Sequence, residues 1–138
     1  MNDAEEYSKK IEEWNAKKVG VKEFIDSLNT DKIENIKQVI TEINELIDER
    51  KELSLSLINT YEHILIKNSD MMNRISPEFV KELISLHQET IRIEEAKVKE
   101  KLECWRDIAL LKRELRERLR DFREQEKKNI AFSNLMED

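Results

Sequence analysis

The chain has 138 residues, of which 41% are charged and 38% hydrophobic, and its net charge at pH 7 is −6. It contains one glycine, Gly20, and one proline, Pro77, although sheets, barrels and nucleotide-binding loops need these residues repeatedly at their turns. The composition therefore excludes glycine-rich phosphate loops and is typical of long helices joined by few turns. We expect one helical domain over residues 1–138.

The N-terminal segment, residues 4–28, is predicted to form two short helices. Apolar residues three or four apart mark the first, from about residue 4 to residue 18. They are Tyr7, Ile11 and Trp14. Gly20 follows two lysines and is a candidate C-terminal cap for this helix. The second helix runs from Val21 to Leu28, and residues 29–31 are all N-cap types for the helix that follows.

A long helix is predicted over residues 31–68. Isoleucines alternate three and four residues apart along it, which is the spacing of a heptad seam. These are Ile33, Ile36, Ile40, Ile43 and Ile47. A flanking row of Val39, Leu46 and Leu53 widens the apolar stripe, which favours a bundle over a two-stranded coiled coil. The seam is interrupted at Arg50 and Ser54.

A turn over residues 69–76 is predicted to separate this helix from a second long helix over residues 77–128. Ser76-Pro77 places an N-cap hydroxyl before a proline at the first helical position. The second helix carries a discontinuous apolar seam. Its members are Val80, Ile84, Ile91, Val98, Trp105, Ile108, Leu115, Leu119 and Phe122. Residues 129–138 are predicted to form a flexible tail, although their apolar residues could dock.

The predicted fold class is all-α: an elongated antiparallel helical bundle, or coiled-coil hairpin, of two long helices with a shorter N-terminal helical segment. The second long helix would overhang the first by about 14 residues, the difference between 52 and 38 residues. Two helices alone would leave Trp14 and Trp105 in water, so we expect a three-helix core that also dimerises. The same seams would serve an intramolecular hairpin or a swapped dimer.

Seven apolar residues are predicted to bind a partner, because they lie at the hairpin tip, in residues 115–128 where the second long helix would extend past the first, or on stripes that two helices leave uncovered. They are Trp14, Met71, Met72, Trp105, Leu115, Leu119 and Phe122. Adaptable methionines are frequent at binding surfaces. For the two methionines, packing inside the turn is the favoured interpretation, and partner binding is the second.

No catalytic, metal or cofactor site is predicted, and the chain is not expected to be an enzyme. Di-iron bundles use Glu-x-x-His pairs, but Thr60 and Ile84 stand three residues before His63 and His87. Cys104 lies within a regular helix, outside the settings that activate a thiol, and is expected to be a packing residue.

We expect a cytoplasmic protein that does not enter membranes. The acidic N-terminus has no apolar signal region, no apolar run approaches the ~18 residues of a membrane span, and the lone Cys104 forms no internal disulfide. Binding to nucleic acid is not expected from the negative net charge. Residues 106–128, with nine basic and six acidic residues, are the exception, and their interleaved signs are typical of a solvated helix face.

The leading functional prediction is a non-enzymatic protein–protein interaction module that self-associates as a homodimer and acts as an adaptor or scaffold. In size, acidity and helical layout the chain also resembles flagellar export chaperones. That resemblance implies a cytoplasmic chaperone that shields a helical segment of another protein until delivery. A nucleic-acid-binding accessory protein that uses residues 106–128 is a second alternative.

Overall fold

The computed structural model of the protein describes residues 3–30 and 36–137. Three helices account for most of them: α1 (Asp3–Thr30), α2 (Ile36–Arg74) and α3 (Val80–Glu137). No strand occurs among these residues. The predicted all-α fold, a hairpin of two long helices with a shorter N-terminal helical segment, is confirmed. At 1.5 Å per residue, the 58 residues of α3 extend over about 87 Å.

Helices α2 and α3 pack antiparallel along most of α2. The Asn68 amide donates a hydrogen bond of 3.4 Å to Thr90 Oγ1 near the hairpin turn. At the other end, Lys37 Nζ lies 5.6 Å from the centre of the Phe122 ring. Helix α1 runs antiparallel to α2, since Tyr7 lies near Lys67. The three helices therefore alternate in direction.

The hairpin turn is shorter and lies later in the chain than predicted. Helix α2 continues to Arg74, and the Phe79 N–H donates to the Ser76 carbonyl at 3.0 Å. Pro77 is thus the second residue of a turn, where its fixed φ is favourable, and not the first residue of α3. The predicted helix end at residue 68 is wrong. Asn68 is buried, and its side-chain amide donates a hydrogen bond to Thr90 of α3, so it joins the two helices within α2 and does not end α2.

Helix α1 is continuous, so the predicted division of residues 4–28 into two helices is wrong. Gly20 lies inside α1 and caps nothing. A glycine within a helix costs about 1 kcal/mol relative to alanine. Burial of neighbouring apolar residues such as Val21, which is 3% exposed, offsets that cost. The predicted start of the second helix at residues 31–35, including Ile33, lies outside the described residues.

Helix α3 continues past the predicted end at residue 128 to Glu137, so residues 129–137 of the predicted tail are helical, and residue 138 lies outside the described residues. This stretch contains neither glycine nor proline, and extending an existing helix costs little. We call residues 123–137, which are exposed throughout, the overhang. The overhang projects past the described start of α2, because Phe122 is level with Lys37.

The apolar core lies where the C-terminal half of α1 meets the N-terminal half of α2 and the middle of α3. Its buried members are Val21, Leu28, Ile43, Ile47 and Leu111. Leu115 and Ile108 pack against them, as the predicted seam requires. The N-terminal part of that seam is wrong: Ile84, Val98 and Trp105 lie on the solvent side, and Leu86 and Leu111 face inward.

Candidate interaction surfaces

A buried cluster of charged side chains joins the three helices beside the apolar core. Arg50 Nη1 and Nη2 donate to the two carboxylate oxygens of Glu100 at 2.8 and 3.2 Å. Arg50 Nε donates to Asp107 at 2.9 Å. Lys18 Nζ reaches from α1 and donates to Glu100 and Glu103, both at 2.8 Å. We call these five residues the ion cluster.

The ion cluster is buried most deeply at its centre. The side chains of Arg50 and Glu100 are 0% and 2% exposed, and that of Lys18 is 17% exposed. Removing such charges from water costs several kcal/mol per ion, which bidentate geometry and further hydrogen bonds must offset. The cluster therefore requires α1, α2 and α3 to hold one relative position, because a shift of any helix would leave a buried charge unpaired.

The protonation states of the cluster follow from these contacts. Burial by itself would raise the pKa of Glu100, but hydrogen bonds from Arg50 and Lys18 outweigh burial and lower it. Burial by itself would lower the pKa of Lys18, but hydrogen bonds to Glu100 and Glu103 raise it. Burial also raises the pKa of Tyr61. Glu100 and Lys18 are thus fixed in their charged forms, whereas acid–base catalysis needs pKa values shifted toward the working pH.

An apolar row lies on the side of α3 that faces solvent. Its members, Ile84, Ile91, Val98 and Trp105, are spaced one heptad apart and are 50%, 54%, 57% and 75% exposed. We call them the outer row. The buried residues of α3, Leu86, Glu100 and Leu111, lie on the other side of the helix. A strict seven-residue repeat keeps apolar residues against one partner helix in a left-handed supercoil.

A groove of about 780 Å³ runs between α1 and α2. Its apolar lining comes from both helices and includes Trp14, Val21, Phe24, Leu46 and Leu53. Glutamates spaced three and four residues apart along α2 form one side, which we call the acidic wall. They are Glu42, Glu45, Glu49 and Glu52. In the described part of the chain, no cation pairs with Glu45, Glu49 or Glu52.

The structure does not bring the seven predicted partner residues together. Trp14 lines the α1/α2 groove, and Trp105 belongs to the outer row. Met71, 46% exposed, lines a smaller pocket of about 540 Å³ between the helices near the hairpin, and Met72 is half-buried beside it in sequence. Leu115 packs against the core.

The other two predicted partner residues lie near the end of the bundle. Leu119 and Phe122 are half-buried, and Lys37 covers the Phe122 ring. Trp14 and Trp105 therefore mark two separate surfaces. The remaining five residues stay predictions without a common site.

Sequence reasoning missed the ion cluster, although it noted the interruption that marks it. Arg50 and Ser54 break the isoleucine seam of α2, and both are buried. A charged residue at a seam position signals a buried ion pair when the facing helix offers an opposite charge. Glu100 was not identified because the predicted seam of α3 followed the outer row.

Basic residues continue along the solvent side of α3 beyond the outer row. They are Arg113, Arg116, Arg120, Arg123 and Lys127, all exposed and spaced three or four residues apart. Arg113 lies 3.7 Å from Glu117, an exposed pair that contributes little to stability. Five of the nine basic residues of the 106–128 stretch thus form a row on one helix face, while Arg118 turns inward toward the Leu28 carbonyl.

No helix in the described ranges is both long and apolar enough to cross a membrane. Over the same ranges, no three His, Cys, Asp or Glu residues are grouped as metal ligands would be. Comparisons of the chain with protein-family models, characterised proteins and solved structures found no match.

Proposed function

We propose that this chain is a non-enzymatic, cytoplasmic protein–protein interaction module that self-associates and acts as an adaptor or scaffold. The outer row of α3 supports the proposal most strongly. Exposing four large apolar residues to water on one stripe costs free energy unless another helix covers them. Their heptad spacing suits a helical partner that lays its own apolar stripe along α3.

A photo-crosslinking residue in place of Val98 tests this proposal in the native cell. The cross-linked protein would be identified and purified, and its affinity measured for the full-length wild type and for Val98→Glu. We expect Val98→Glu to weaken binding at least about tenfold, since burying an unpaired charge costs more than about 1.4 kcal/mol.

Ser85→Glu is the matched control, because Ser85 is exposed on α3 away from the outer row and receives the same charge. It should bind like the wild type. Absence of any cross-linked protein, or equal affinities for the two variants, would refute the outer row as a partner surface.

An export or assembly chaperone is the alternative within the same class. It would use the same apolar surfaces, but its partner would be a secreted or filament subunit held until delivery. Co-purification of such a subunit, and its precipitation when the chain is withdrawn, would favour the chaperone over a scaffold.

A nucleic-acid-binding accessory protein is the second candidate, favoured by the exposed basic row of α3. Binding should then persist near physiological salt and weaken in a variant that carries Arg116→Glu, Arg120→Glu and Arg123→Glu. Equal binding by this variant and the wild type would exclude the basic row as the contact.

A further inference from the structure

Two surfaces toward one end of the molecule are complementary, and no part of residues 3–30 and 36–137 covers them: the α1/α2 groove and the overhang. We propose that the chain forms a two-fold dimer in which the overhang of each copy lies in the α1/α2 groove of the other. This inference rests on the self-association in the proposed function and assigns it a surface distinct from the outer row.

The end of the overhang has the chemistry that the groove requires. The whole overhang carries three basic and three acidic residues, but the acidic ones are Glu124, Glu126 and Glu137, so residues 127–136 contain Lys127 and Lys128 and no acidic residue. Their apolar residues are between 61% and 76% exposed. These residues are Ile130, Phe132, Leu135 and Met136. Phe132, Leu135 and Met136 share one helix face, because they stand three and four residues apart.

The groove offers the matching features. Its apolar lining can accept the large side chains of the overhang. The four glutamates of its acidic wall lie beside that lining and outnumber the one exposed cation of the groove, Lys17 of α1. Carboxylates three or four residues apart on one helix repel each other by a few tenths of a kcal/mol per pair. Lysines from another helix would remove this repulsion, and charge complementarity of this kind selects a cationic partner over an acidic one.

The overhang cannot reach the groove of its own chain. Helix α3 passes the start of α2 at Phe122, which lies beside Lys37. Residues 127–136 therefore extend about 7 to 21 Å beyond that level. The groove begins at Glu42 and runs in the opposite direction. A straight α3 thus carries its apolar end away from its own groove, toward another molecule.

A two-fold arrangement covers the groove and the overhang of both copies at once. Groove and overhang lie at the same end, so two copies that meet at this end can exchange overhangs reciprocally, and the assembly closes at two. The lengths agree: α2 from Glu42 to Ser56 and α3 from Arg123 to Glu137 each span about 21 Å. A helix from another protein would fill the groove but leave the overhang exposed, and this difference favours a second copy.

Charge reversal tests the exchange on the full-length chain. One variant reverses the overhang (Lys127→Glu with Lys128→Glu), and the other reverses the acidic wall (Glu45→Lys with Glu49→Lys). Each variant alone places like charges at both contacts of a dimer, so we expect its dimer dissociation constant to rise at least tenfold. In an equimolar mixture both contacts regain opposite charges, and a one-to-one heterodimer should form with near wild-type affinity.

Sedimentation velocity on the wild type, each variant and the mixture provides the measurement. Lys9→Glu with Lys10→Glu is the control for the overhang variant, since it makes the same charge change at exposed positions of α1 away from the groove and should dimerise like the wild type. Variants that dimerise normally, or a mixture that stays monomeric, would overturn the exchange.

The dimerisation of a Val98→Glu variant distinguishes a failure of this inference from a failure of the proposed function. If Val98→Glu abolishes the dimer while both reversed variants retain it, self-association stands and the overhang exchange is wrong. If the wild type is monomeric at every concentration, both the exchange and the proposed self-association fail.

Discussion

Removal of Arg50 from the ion cluster is the most demanding test of the packing described above. Arg50→Met leaves a side chain of similar length in the same space but withdraws the cation that donates two hydrogen bonds to Glu100. Breaking a buried pair in this way costs about 3–5 kcal/mol. Because Lys18 still binds Glu100 at 2.8 Å, we expect a loss near the lower end, about 3 kcal/mol.

The double variant Arg50→Met with Glu100→Leu separates the cost of a broken pair from the value of the pair itself. It removes both deeply buried charges, while Lys18 keeps Glu103 at 2.8 Å and Asp107 is 15% exposed. Hydrophobic replacement of a buried ion pair is often neutral or stabilising. We therefore expect the double variant to be more stable than Arg50→Met by about 2 kcal/mol or more.

Urea denaturation followed by tryptophan fluorescence measures these differences. Lys97→Met is the matched control: Lys97 pairs with Glu62 at 3.0 Å, but its side chain is 24% exposed and that of Glu62 is 50% exposed. Such a pair contributes about 0–1 kcal/mol. If Arg50→Met costs no more than Lys97→Met, or if the double variant is as unstable as Arg50→Met, the reasoning about the ion cluster is wrong.

Three further outcomes are expected. Gly20→Ala should raise the free energy of unfolding by up to about 1 kcal/mol, because a Cβ at this helical position meets no atom within 4 Å; an unchanged or lower urea midpoint would contradict this. Leu111→Ala should cost about 2–5 kcal/mol in the same assay, since Leu111 is 0% exposed, and a cost below about 1 kcal/mol would show that the core is not closed there. Stability should be constant at intermediate pH and fall at both extremes. The contribution of Glu100 is present above its unfolded pKa and lost as the pH falls through its lowered folded pKa. That of Lys18 is present below its unfolded pKa and lost as the pH rises through its raised folded pKa. Urea midpoints across the pH range check this, and Glu100→Gln should remove part of the acid loss.

The sequence was sufficient to predict the hairpin because its apolar periodicity is strong in α2. Ile43 and Ile47 follow the predicted seam, and both are buried. Helix boundaries were less predictable, since they depend on tertiary contacts. Gly20 remains helical because α1 is held on both sides of it, where Lys18 donates to Glu100 and Val21 is buried. Asn68 extends α2 because Thr90 accepts its hydrogen bond.

The candidate surfaces were only partly predictable from the sequence. Trp14 and Trp105 were identified as apolar residues in need of cover, and they mark the groove and the outer row. The groove itself depends on how α1 sits against α2, which no spacing within one helix determines. The acidic wall is a periodic pattern that could have been found by following charge, and not only apolar residues, around α2.

Helix α3 carries two apolar stripes, and hydrophobicity alone does not choose between them. One stripe includes Leu86 and Leu111 and contains Glu100; the outer row contains no charge at its four positions. The cost of burying a carboxylate would by itself favour turning the outer row inward. The structure buries Glu100 because Arg50 and Lys18 meet it from the two other helices. We infer that the ion cluster decides which face of α3 joins the core, and that the outer row is exposed as a consequence. The same rotation of α3 about its axis therefore buries Glu100 inside the bundle and exposes the outer row to solvent.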